Sequence, residues 1–419
     1  MSASLTHHQR WGAGMAEVLV LGAGMVGVST GLALQARGHE VTIIERGVPG
    51  RETSYGNAGL IQTEAVEPYA MPLSPGALFQ IALGRGYDVK WTPQGLLSQL
   101  GAVATYAWNS RPAAHRRASV TWGKLIRQST DRHGPLIAAA GADNIIRRNG
   151  YIEIHRTPAK MDVARKTAER FATEFGVQAR LMSGAELRAM EPAIRIEVEG
   201  ATHWSDSWNC ADPGGLVASY AALFQKRGGR VVNGDAGDLH RHGAGWRADE
   251  VEAEHAVIAL GPWSPMLTQR FGLKVPMVFK RGYHKHYHME LPPHHPIADF
   301  GNSVVLSPMR RGLRIATAAE LTPHPRLSPP QLKHGEKAAR ELFDIGAAVE
   351  AEPWTGRRPC MPDMLPVVGR VPDQPNLWAH FGHGHQGFTL GPVTAEILAD
   401  ELSGGEGWAE LQPGRLKRG

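Results

Sequence analysis

Three glycines near the start of the chain have the types and spacing of a turn that binds phosphate. Gly22, Gly24 and Gly27 form the pattern G-x-G-x-x-G directly after the apolar residues 18–21. The first glycine permits a tight turn, the second admits a pyrophosphate close to the backbone, and the third lets a helix pack against a strand. The amino terminus of that helix adds free N–H groups and a positive dipole end. The sequence therefore predicts a dinucleotide contact along Gly22, Ala23, Gly24, Met25, Val26 and Gly27.

An acidic residue lies where a bound dinucleotide presents its ribose. Glu45 ends the next apolar run, about 20 residues after the motif, and Arg46 follows it. A carboxylate there accepts hydrogen bonds from the ribose hydroxyls and repels a 2′-phosphate, so Glu45, with Arg46 beside it, is a predicted contact. The alternative is that the glycines only close a tight turn, which the strand, the helix and Glu45 together disfavour. The motif does not separate NAD from FAD.

A β-α-β unit is needed to position these residues. Residues 18–21 are typical of a buried parallel strand, residues 25–37 of a helix that stops at Gly38, and residues 41–45 of a second strand. The unit is too small to be a domain, so its sheet needs later strands. Residues 68–122, rich in Gly, Pro and Trp, are expected to lie over a cofactor or active site. Further helices are predicted at 159–175, 184–190 and 393–402, and further strands at 151–155, 230–232, 256–260 and 313–316.

Length, composition and charge exclude several classes of protein. The 419 residues suffice for two or three packed units. Hydrophobic residues at 42% and charged residues at 20% are ordinary globular values, which exclude a disordered or fibrous protein. The net charge of +5 is small and no basic block is interleaved with aromatic residues, so we predict no nucleic-acid partner. The densest basic stretch, Arg415, Lys417 and Arg418, is expected to be a frayed tail.

The cysteines and the amino terminus bear on the compartment. Cys210 and Cys360 are too few for a disulfide framework and favour a reducing compartment, so we predict a cytoplasmic protein. Residues 1–15 lack the apolar core of a signal peptide and are expected to form a disordered leader. No amphipathic helix requires a membrane surface, and peripheral contact with the inner face of the cytoplasmic membrane stays open.

Several further sequence blocks occur in the order found in one enzyme family. They are ETSYGNAGLI at 52–61, AVIALGPWS at 256–264, KRGY at 280–283, RIATAAE at 314–320, WTGRRP at 354–359 with PD at 362–363 and PVVG at 366–369, and GHGHQGFT at 382–389. With these blocks, the sequence resembles the D-amino-acid oxidase (DAO) superfamily, and within it the bacterial FAD-dependent D-amino-acid dehydrogenases. The resemblance covers residues 16–402. It implies an α/β fold in which a Rossmann-like FAD-binding domain carries a discontinuous substrate domain with a mixed sheet.

The same resemblance divides the chain into interleaved segments. It assigns residues 16–66, 205–275 and 355–410 to a discontinuous FAD-binding domain, residues 67–204 and 276–354 to the substrate domain, residues 1–15 to the leader and residues 411–419 to the tail.

The resemblance also implies which residues hold FAD beyond the glycine turn. Ser54 would supply a hydroxyl, Asn57 an amide, and Ala236 its backbone groups to the adenine. A helix amino terminus after Gly384 would face the pyrimidine end of the flavin, where negative charge collects on reduction. Relatives that tether FAD carry their cysteine at a position that falls on Gly356, so FAD is expected to be noncovalent. The remaining implied contacts are Ala58, Gly59, Leu60, Gly261, Gln386, Gly387, Phe388 and Thr389.

For the substrate, the resemblance implies a carboxylate contact at Arg358, because a planar guanidinium grips a carboxylate through two hydrogen bonds. Arg357 is the alternative anchor. Tyr283 is the implied second donor, and His284 and Leu60 are candidate substrate contacts.

Two departures from the family pattern leave pocket shape and substrate size open. Leu60 stands where the similar dehydrogenases carry glutamine. Lys280-Arg281 adds a residue and a positive charge before Gly282.

The implied reaction is oxidative deamination of a D-amino acid, or of a cyclic relative such as a D-proline or hydroxyproline derivative. Hydride leaves Cα for flavin N5 and the imine hydrolyses, chemistry that needs orientation more than a dedicated base. Arg314 stands where oxygen-using relatives carry a lysine, so a quinone or other carrier is the expected electron acceptor. The alternatives are a glycine- or sarcosine-type secondary amine oxidase that uses oxygen and, from another class, a tRNA-modifying FAD module.

A run of histidines invites a metal interpretation. His284, His286 and His288 alternate, which on one strand places all three on the same face. Because carboxylates and cysteines are absent nearby in the sequence, we predict no metal site, and the role of the run stays open.

Overall fold

A computed structural model describes residues 14–84 and 86–418. The leader predicted for residues 1–15 therefore lies outside the described residues, apart from Gly14 and Met15. The strands are β1 Glu17–Leu21, β2 Glu40–Glu45, β3 Leu60–Ile61, β4 Val89–Trp91, β5 Ile146–Arg147, β6 Tyr151–His155, β7 Arg180–Ser183, β8 Gly200–Trp204, β9 Trp208–Cys210, β10 Arg230–Asn233, β11 His240–His242, β12 Gly245–Ala248, β13 Val251–Ala253, β14 His255–Ile258, β15 Val278–Tyr287, β16 Ile297–Asp299, β17 Val304–Met309, β18 Gly312–Thr317, β19 Ala319–Leu321, β20 Trp354–Cys360, β21 Val367–Arg370 and β22 Leu377–Phe381. The helices are α1 Met25–Ala36, α2 Pro75–Ala82, α3 Pro93–Leu97, α4 Leu100–Asn109, α5 Pro112–Ile126, α6 Ser129–Ala139, α7 Pro158–Phe175, α8 Gly184–Met190, α9 Pro213–Lys226, α10 Ser264–Arg270, α11 Pro330–Leu342 and α12 Gly387–Leu402.

The first sheet contains the predicted β-α-β unit and completes it with later strands. Its order is β10-β2-β1-β14-β22-β21, parallel except for β21. Val18 and Val20 of β1 face one core, whereas Leu19 and Leu21 face another. Because both faces are buried, β1 is a continuous apolar run and not an alternating one. Helices α1, α9 and α12 cover one face and the small sheet β11-β12-β13 the other, which gives a Rossmann-like layer.

The second sheet is mixed and larger. Its order is β4-β19-β15-β18-β17-β16-β6-β8-β7, with β20 paired to β15 beside this path. The pairings of β16 with β6 and of β19 with β4 are parallel, and its others are antiparallel. The antiparallel register of β15 and β20 runs from Val278 opposite Cys360 to His284 opposite Trp354. Residues 355–360, which the resemblance assigns to the FAD-binding domain, therefore lie in this sheet.

Most of the predicted elements are confirmed, but the last helix starts earlier than predicted. The structure confirms the predicted helices at residues 159–175 and 184–190 as α7 and α8. Helix α12 begins at Gly387, before residue 393, although it contains Pro392. Proline has no N–H for the carbonyl oxygen of Phe388, and the Nε2 of His133 takes that place at 3.0 Å. This long-range hydrogen bond satisfies the carbonyl oxygen that Pro392 leaves without a helix partner, so α12 can begin ahead of the proline. No helix of the described part is both long and apolar enough to cross a membrane.

The carboxyl terminus is packed where we expected a frayed tail. Leu411 is fully buried, and its carbonyl oxygen accepts a hydrogen bond from the N–H of Val368 at 2.9 Å. The Arg415 guanidinium pairs with Asp363 at 2.7 Å and donates to the carbonyl oxygen of Leu365. The charge of Arg415 thus serves a structural contact with the segment just before β21, which sequence composition does not reveal.

Candidate active site

A cavity of about 1060 Å³ separates the two large sheets. The carboxyl ends of the parallel strands β1, β2 and β14 open into it, and the next residues along the chain form part of its wall. The opposite wall comes from β15, β18 and β20 of the mixed sheet. Ligands of open α/β sheets bind at such strand ends, so this cavity is the candidate site.

The glycine turn has the shape that a pyrophosphate needs. Gly22 has a φ of +101°, and a Cβ there would lie 2.9 Å from the carbonyl oxygen of Ala259. A Cβ on Gly27 would overlap the carbonyl oxygen of Gly22, so α1 approaches its strand only with glycine at this position. Gly24 lines the cavity, and the first turn of α1 contains no acidic residue. The turn thus leaves room and a positive helix end for an anion.

Glu45 is held so that its carboxylate faces the cavity. One carboxylate oxygen accepts from the N–H of Ala23 at 2.8 Å and the other from the N–H of Gly47 at 3.1 Å. Each oxygen keeps lone pairs for ribose hydroxyls. Arg46 also lines the cavity, with its guanidinium 4.6 Å from the ring centre of Trp263 and paired with Glu52 at 2.7 Å. Ala236 and Gly261 complete this end of the wall.

The loop before β3 is rigid and only partly exposed to the cavity. Ser54 Oγ accepts from the N–H of Met25 at 2.9 Å and so ties the loop to α1. Asn57 Oδ1 accepts from the N–H groups of Gly59 and Leu60 at 2.7 and 3.1 Å. Ser54, Asn57, Ala58 and Leu60 line the cavity, whereas Gly59 packs against the backbone of Cys210.

The loop into α12 forms the floor beside β3. Gly384, Gly387 and Phe388 line the cavity. Gln386 instead donates to Gln62 Oε1 at 2.6 Å, and Thr389 donates to the carbonyl oxygen of Leu60 at 3.3 Å. These two predicted cofactor contacts therefore hold the neighbouring loop and are not part of the cavity wall. The other predicted contacts outside the wall are Ala23, Gly27 and Gly59.

Arg358 and Arg357 on β20 have opposite surroundings. Arg358 lines the cavity and donates to the carbonyl oxygens of Thr317 and Ala318 at 2.9 and 3.1 Å. Its guanidinium has no carboxylate partner among the described residues, and burial lowers the pKa of Arg358. Arg357 lies outside the cavity wall, against the rings of Trp263 and Phe279. Of the two candidate anchors, only Arg358 faces the cavity.

The hydroxyl of Tyr283 is already engaged. Tyr283 lines the cavity, but its hydroxyl donates to Glu320 at 2.6 Å and accepts from the N–H of Arg326 at 3.2 Å. Glu320 is fully buried and also pairs with the Arg326 guanidinium. The expected second donor to the substrate is therefore not free, because a buried carboxylate holds its proton.

His284 and Arg314 also lie outside the cavity wall. The His284 ring stacks on Trp354 with 4.8 Å between ring centres and lies beside Tyr55. Arg314 is buried and donates to the carbonyl oxygens of Tyr55 and Asn57 at 2.9 and 2.5 Å. Both side chains thus support the loop before β3 from behind, and His284, a candidate substrate contact, does not line the cavity.

The three alternating histidines have different surroundings. His286 is buried and its Nδ1 lies 2.7 Å from Glu350, whereas His288 follows the end of β15 and is exposed. Burial beside Arg314 lowers the pKa of His284 and brings the pKa of His286 to about 4, so both rings are neutral at pH 7. No group of three His, Cys, Asp or Glu residues in the described part could hold a metal ion.

Sequence reasoning missed several polar side chains of the cavity wall. Lys280 donates from Nζ to the Tyr106 hydroxyl at 2.9 Å, and the ring of His385 packs 4.3 Å from that of Tyr69. Tyr151 donates to the buried Glu64 at 2.8 Å. Tyr69 and Tyr106 fall within residues 68–122, the segment expected to lie over the site, and Lys280 was visible as an added charge. Their convergence depends on long-range pairing, which leaves no local signal.

Comparisons with known proteins agree with this geometry. The model of the DAO family, FAD dependent oxidoreductase, matches residues 17–401. The chain is 29% identical to a D-amino-acid oxidase of Bradyrhizobium diazoefficiens, over 94% of this chain and 97% of that one. It is 28% identical to a D-amino acid dehydrogenase of Chromohalobacter salexigens, over 93% and 96% of the two chains.

Solved structures share the fold. The glycine oxidase of Geobacillus kaustophilus superposes with a TM-score of 0.70 at 22% identity, covering 96% of this chain and 98% of that one. The L-proline dehydrogenase of P. horikoshii gives a TM-score of 0.71 at 17% identity, with coverage of 96% and 98%. At these identities the likeness establishes the fold alone.

Proposed function

The chain belongs to the DAO family of FAD-dependent oxidoreductases, and we propose that within this family it is a dehydrogenase of D-amino acids or of cyclic D-proline and hydroxyproline derivatives. At the coarser level, the protein is an enzyme that uses FAD to oxidise an amine or amino acid. The observation that carries the proposal is Arg358, a cavity-facing guanidinium without a carboxylate partner among the described residues. A guanidinium in this state favours a ligand that brings a carboxylate.

Residues at the strand ends and in the loop before β3 fit FAD. Gly22 and Gly24 would hold the pyrophosphate, Glu45 the ribose, and Ala236 the adenine. Bound FAD supplies the acceptor for the hydride that leaves the substrate. We propose noncovalent binding, because Gly356 stands at the tethering position and the Cys360 thiol is buried outside the cavity wall.

In this proposal the protein contributes orientation. Arg358 is fixed by the carbonyl oxygens of Thr317 and Ala318, so it offers its remaining N–H groups to a carboxylate from one direction. A fixed carboxylate restricts the positions that the Cα–H can take, which contributes to the alignment that hydride transfer needs. His383 and His385 in the floor are neutral, since burial lowers the pKa of His383 to about 3 and lowers the pKa of His385 as well. The floor therefore adds no positive charge that would oppose binding of the amine.

The electron acceptor is proposed to be a quinone or another carrier. The dehydrogenase names of several relatives support this choice, whereas the oxidase name of another supports oxygen. Arg314 adds no support, because it lies behind the loop and not in the cavity wall.

Anaerobic reduction of the bound flavin tests the proposal directly. The FAD-loaded protein is mixed with D- and L-amino acids, glycine, sarcosine and hydroxyproline stereoisomers, and flavin absorption is followed. Bleaching by D-isomers, followed by faster reoxidation with a quinone analogue than with oxygen, is expected. Bleaching by sarcosine or glycine with rapid peroxide formation would instead establish the secondary amine oxidase. If none of the panel bleaches the flavin, the amino-acid proposal fails.

A further inference from the structure

Two positively charged side chains face each other across one strand pair in the cavity wall. Lys280 on β15 lies directly opposite Arg358 on β20 in the antiparallel register. Opposite residues of such a pair project from the same face with their Cβ atoms about 5 Å apart. Both side chains line the cavity and both are half-buried. Like charges placed opposite each other destabilise a sheet, so this pair needs a compensating feature.

No protein carboxylate in the described part compensates these two charges. Lys280 donates to the hydroxyl of Tyr106, and Arg358 donates to two backbone carbonyl oxygens, so their protein partners are neutral. Glu45 and Glu52, which belong to the cavity wall, are engaged at its cofactor end. Asp88, also in the wall, accepts from Ser303 Oγ. Asp235, the fourth carboxylate of the wall, accepts from the N–H of Gly237 at the cofactor end. None of the four forms an ion pair with Lys280 or Arg358, so these two cations are left to a bound anion.

The two cationic groups lie at different points of the wall. The Arg358 guanidinium leans along the sheet over Gly282, where an added Cβ would lie 2.7 Å from Nη2. The Lys280 ammonium leans towards α4, where it lies 4.1 Å from the ring centre of Tyr106. Carbonyl oxygens hold the Arg358 guanidinium in place, and one carboxylate can bind it from the cavity. The Lys280 ammonium then stays available for a second anionic group.

A third basic residue of the wall strengthens this interpretation. His385 lines the cavity and is close enough to Lys280 and Arg358 that their charges, after burial, lower its pKa. Its ring stays neutral and packs against Tyr69, so it adds no third charge that would demand a third anion. Arg46 and Arg270 also belong to the wall, but they lie at its cofactor end, where Arg46 pairs with Glu52 and Arg270 donates to the carbonyl oxygens of Gly237 and Leu239. The part of the wall around β15 and β20 therefore presents two positive charges, which matches two carboxylates.

Resting on the proposed function, we infer that Lys280 forms a second anion subsite and that the substrate is an amino acid with two carboxylates. Arg358 binds the carboxylate next to the oxidised carbon, and Lys280 binds the other one. That second carboxylate belongs either to the side chain or to a substituent on the amine nitrogen. A carboxylate at either position would bind Lys280 in the same way, and the substrates described below distinguish the two positions.

Binding of ligands that cannot be oxidised tests the subsite apart from turnover. Calorimetric titration of the FAD-loaded protein compares succinate with succinamate, its monoamide, which lacks one charge. We expect succinate to bind about 10- to 100-fold more tightly, the scale of one charge-assisted hydrogen bond. Lys280→Met, which keeps the apolar stem over Tyr106, should reduce this ratio to near one. Lys285→Met on the same strand is the matched control and should leave the ratio unchanged, because Lys285 lies outside the cavity wall and donates to the carbonyl oxygen of Ala351.

A second variant guards against misfolding. Lys280→Arg keeps the charge and should keep a preference for succinate, with the flavin spectrum of the parent protein. Equal binding of succinate and succinamate by the parent protein would overturn the subsite. An equal loss of both ligands in Lys280→Met would overturn it too, since Lys280 would then share the carboxylate of Arg358.

Anaerobic flavin reduction separates this inference from the proposed function. D-aspartate and D-glutamate are compared with D-asparagine and D-glutamine, and iminodiacetate represents a second carboxylate on the amine substituent. Faster reduction by either acidic class, lost in Lys280→Met, supports the subsite and identifies where the carboxylate lies. Reduction by the amides at equal or higher rates removes the subsite but leaves the D-amino-acid dehydrogenase intact. Absence of reduction by every D-amino acid rejects the proposed function, and the succinate ratio then still decides whether the anion subsite exists.

Discussion

The two ends of the cavity offer different groups to the ligands proposed for them. The proposed cofactor end presents the backbone groups of a glycine turn, and most charged groups near it are engaged within the protein: Glu45 accepts from two N–H groups and Arg46 pairs with Glu52. At the substrate end Arg358 and Lys280 are charges without a protein counterion in the described part. A site formed by backbone groups fits one cofactor. In a site formed by charged side chains without counterions, a single substitution can change the substrate specificity.

The burial of polar groups differs in the same way. Behind the cofactor end, Thr30, His380, Thr394 and His383 form a closed chain of hydrogen bonds of 2.7 to 2.9 Å. Such a chain fixes the orientation of the His380 and His383 rings, which line the cavity. On the substrate side, the hydroxyl of Tyr283 donates to Glu320. Lys280 and Arg358 have only neutral partners in the described part, and the Nδ1 of His385 has no hydrogen-bond partner there. The hydrogen-bond chain therefore holds the proposed cofactor end rigid, whereas the two cations select the substrate at the other end.

The largest expected effect breaks the cofactor end. Gly27→Ala places a Cβ over the carbonyl oxygen of Gly22, so α1 must move away from β1 and the turn must open. We expect protein isolated without FAD, measured as the ratio of flavin to protein absorption after gel filtration. Gly101→Ala in α4 is the control, because a Cβ there meets nothing within 4 Å. Full FAD content in Gly27→Ala would show that the turn does not need this close approach.

The next largest expected effect is a loss of substrate binding without a loss of FAD. Arg358→Gln removes a charged carboxylate partner worth about 1.5–3 kcal/mol, so the rate of flavin reduction at low substrate should fall by roughly 10- to 150-fold. FAD content should not change. Arg357→Gln is the matched control, because Arg357 stacks on Trp263 outside the cavity wall. Equal losses in the two variants would reject the assignment of Arg358 as the anchor.

A smaller effect sharpens the account of the ribose contact. Glu45→Ala removes the acceptor of the N–H groups of Ala23 and Gly47 together with the ribose contact. We expect FAD to dissociate about 5- to 30-fold more readily, equivalent to roughly 1–2 kcal/mol, with dialysis and flavin fluorescence as the measurement. Glu40→Ala serves as the control, because Glu40 is exposed at the start of the same strand and lies outside the cavity wall. Retention of FAD equal to that of the parent protein would contradict the contact.

The smallest effect compares the two regions through pH. Burial lowers the pKa of His133 to about 4 and that of His383 to about 3, both beside α12, so their stabilising contribution is present above pH 6.5 and is lost as the pH falls towards 4. Burial raises the pKa of Glu153 in β6 to about 7, so Glu153 costs stability as the pH rises from 4.5 to 7. Acidification should therefore lower the melting temperature more steeply in Glu153→Gln than in the parent protein, by about 1 °C for each kcal/mol in a chain of this length. Glu352 is exposed, so Glu352→Gln is the control variant. If the melting temperature depends on pH in the same way in all three proteins, the opposite pH effects assigned to the two regions are refuted.

Local sequence patterns were sufficient at the cofactor end and insufficient at the substrate end. Gly22, Gly24 and Glu45 lie at the ends of two consecutive strands, and the structure confirms the strands and helix predicted around them. Tyr283 and Arg314 were expected at the cavity on the basis of their sequence blocks. Tyr283 lines the wall with its hydroxyl engaged, and Arg314 lies behind the loop, because Glu320 and the carbonyl oxygens of Tyr55 and Asn57 occupy their polar groups.

The sequence by itself determined the family, the use of FAD and the strand-turn-helix that receives the pyrophosphate. The strand-turn-helix depends on neighbours within about 30 residues, whose periodicity and glycine spacing are visible in the chain. The family and its FAD follow from sequence blocks that keep one order between residues 16 and 402. Only the tertiary structure decided which charges meet: the pairing of β15 with β20 brings Lys280 opposite Arg358 across nearly 80 positions of sequence. The physical reason is that a strand's register selects the partner of every side chain on it, and no local pattern encodes that register.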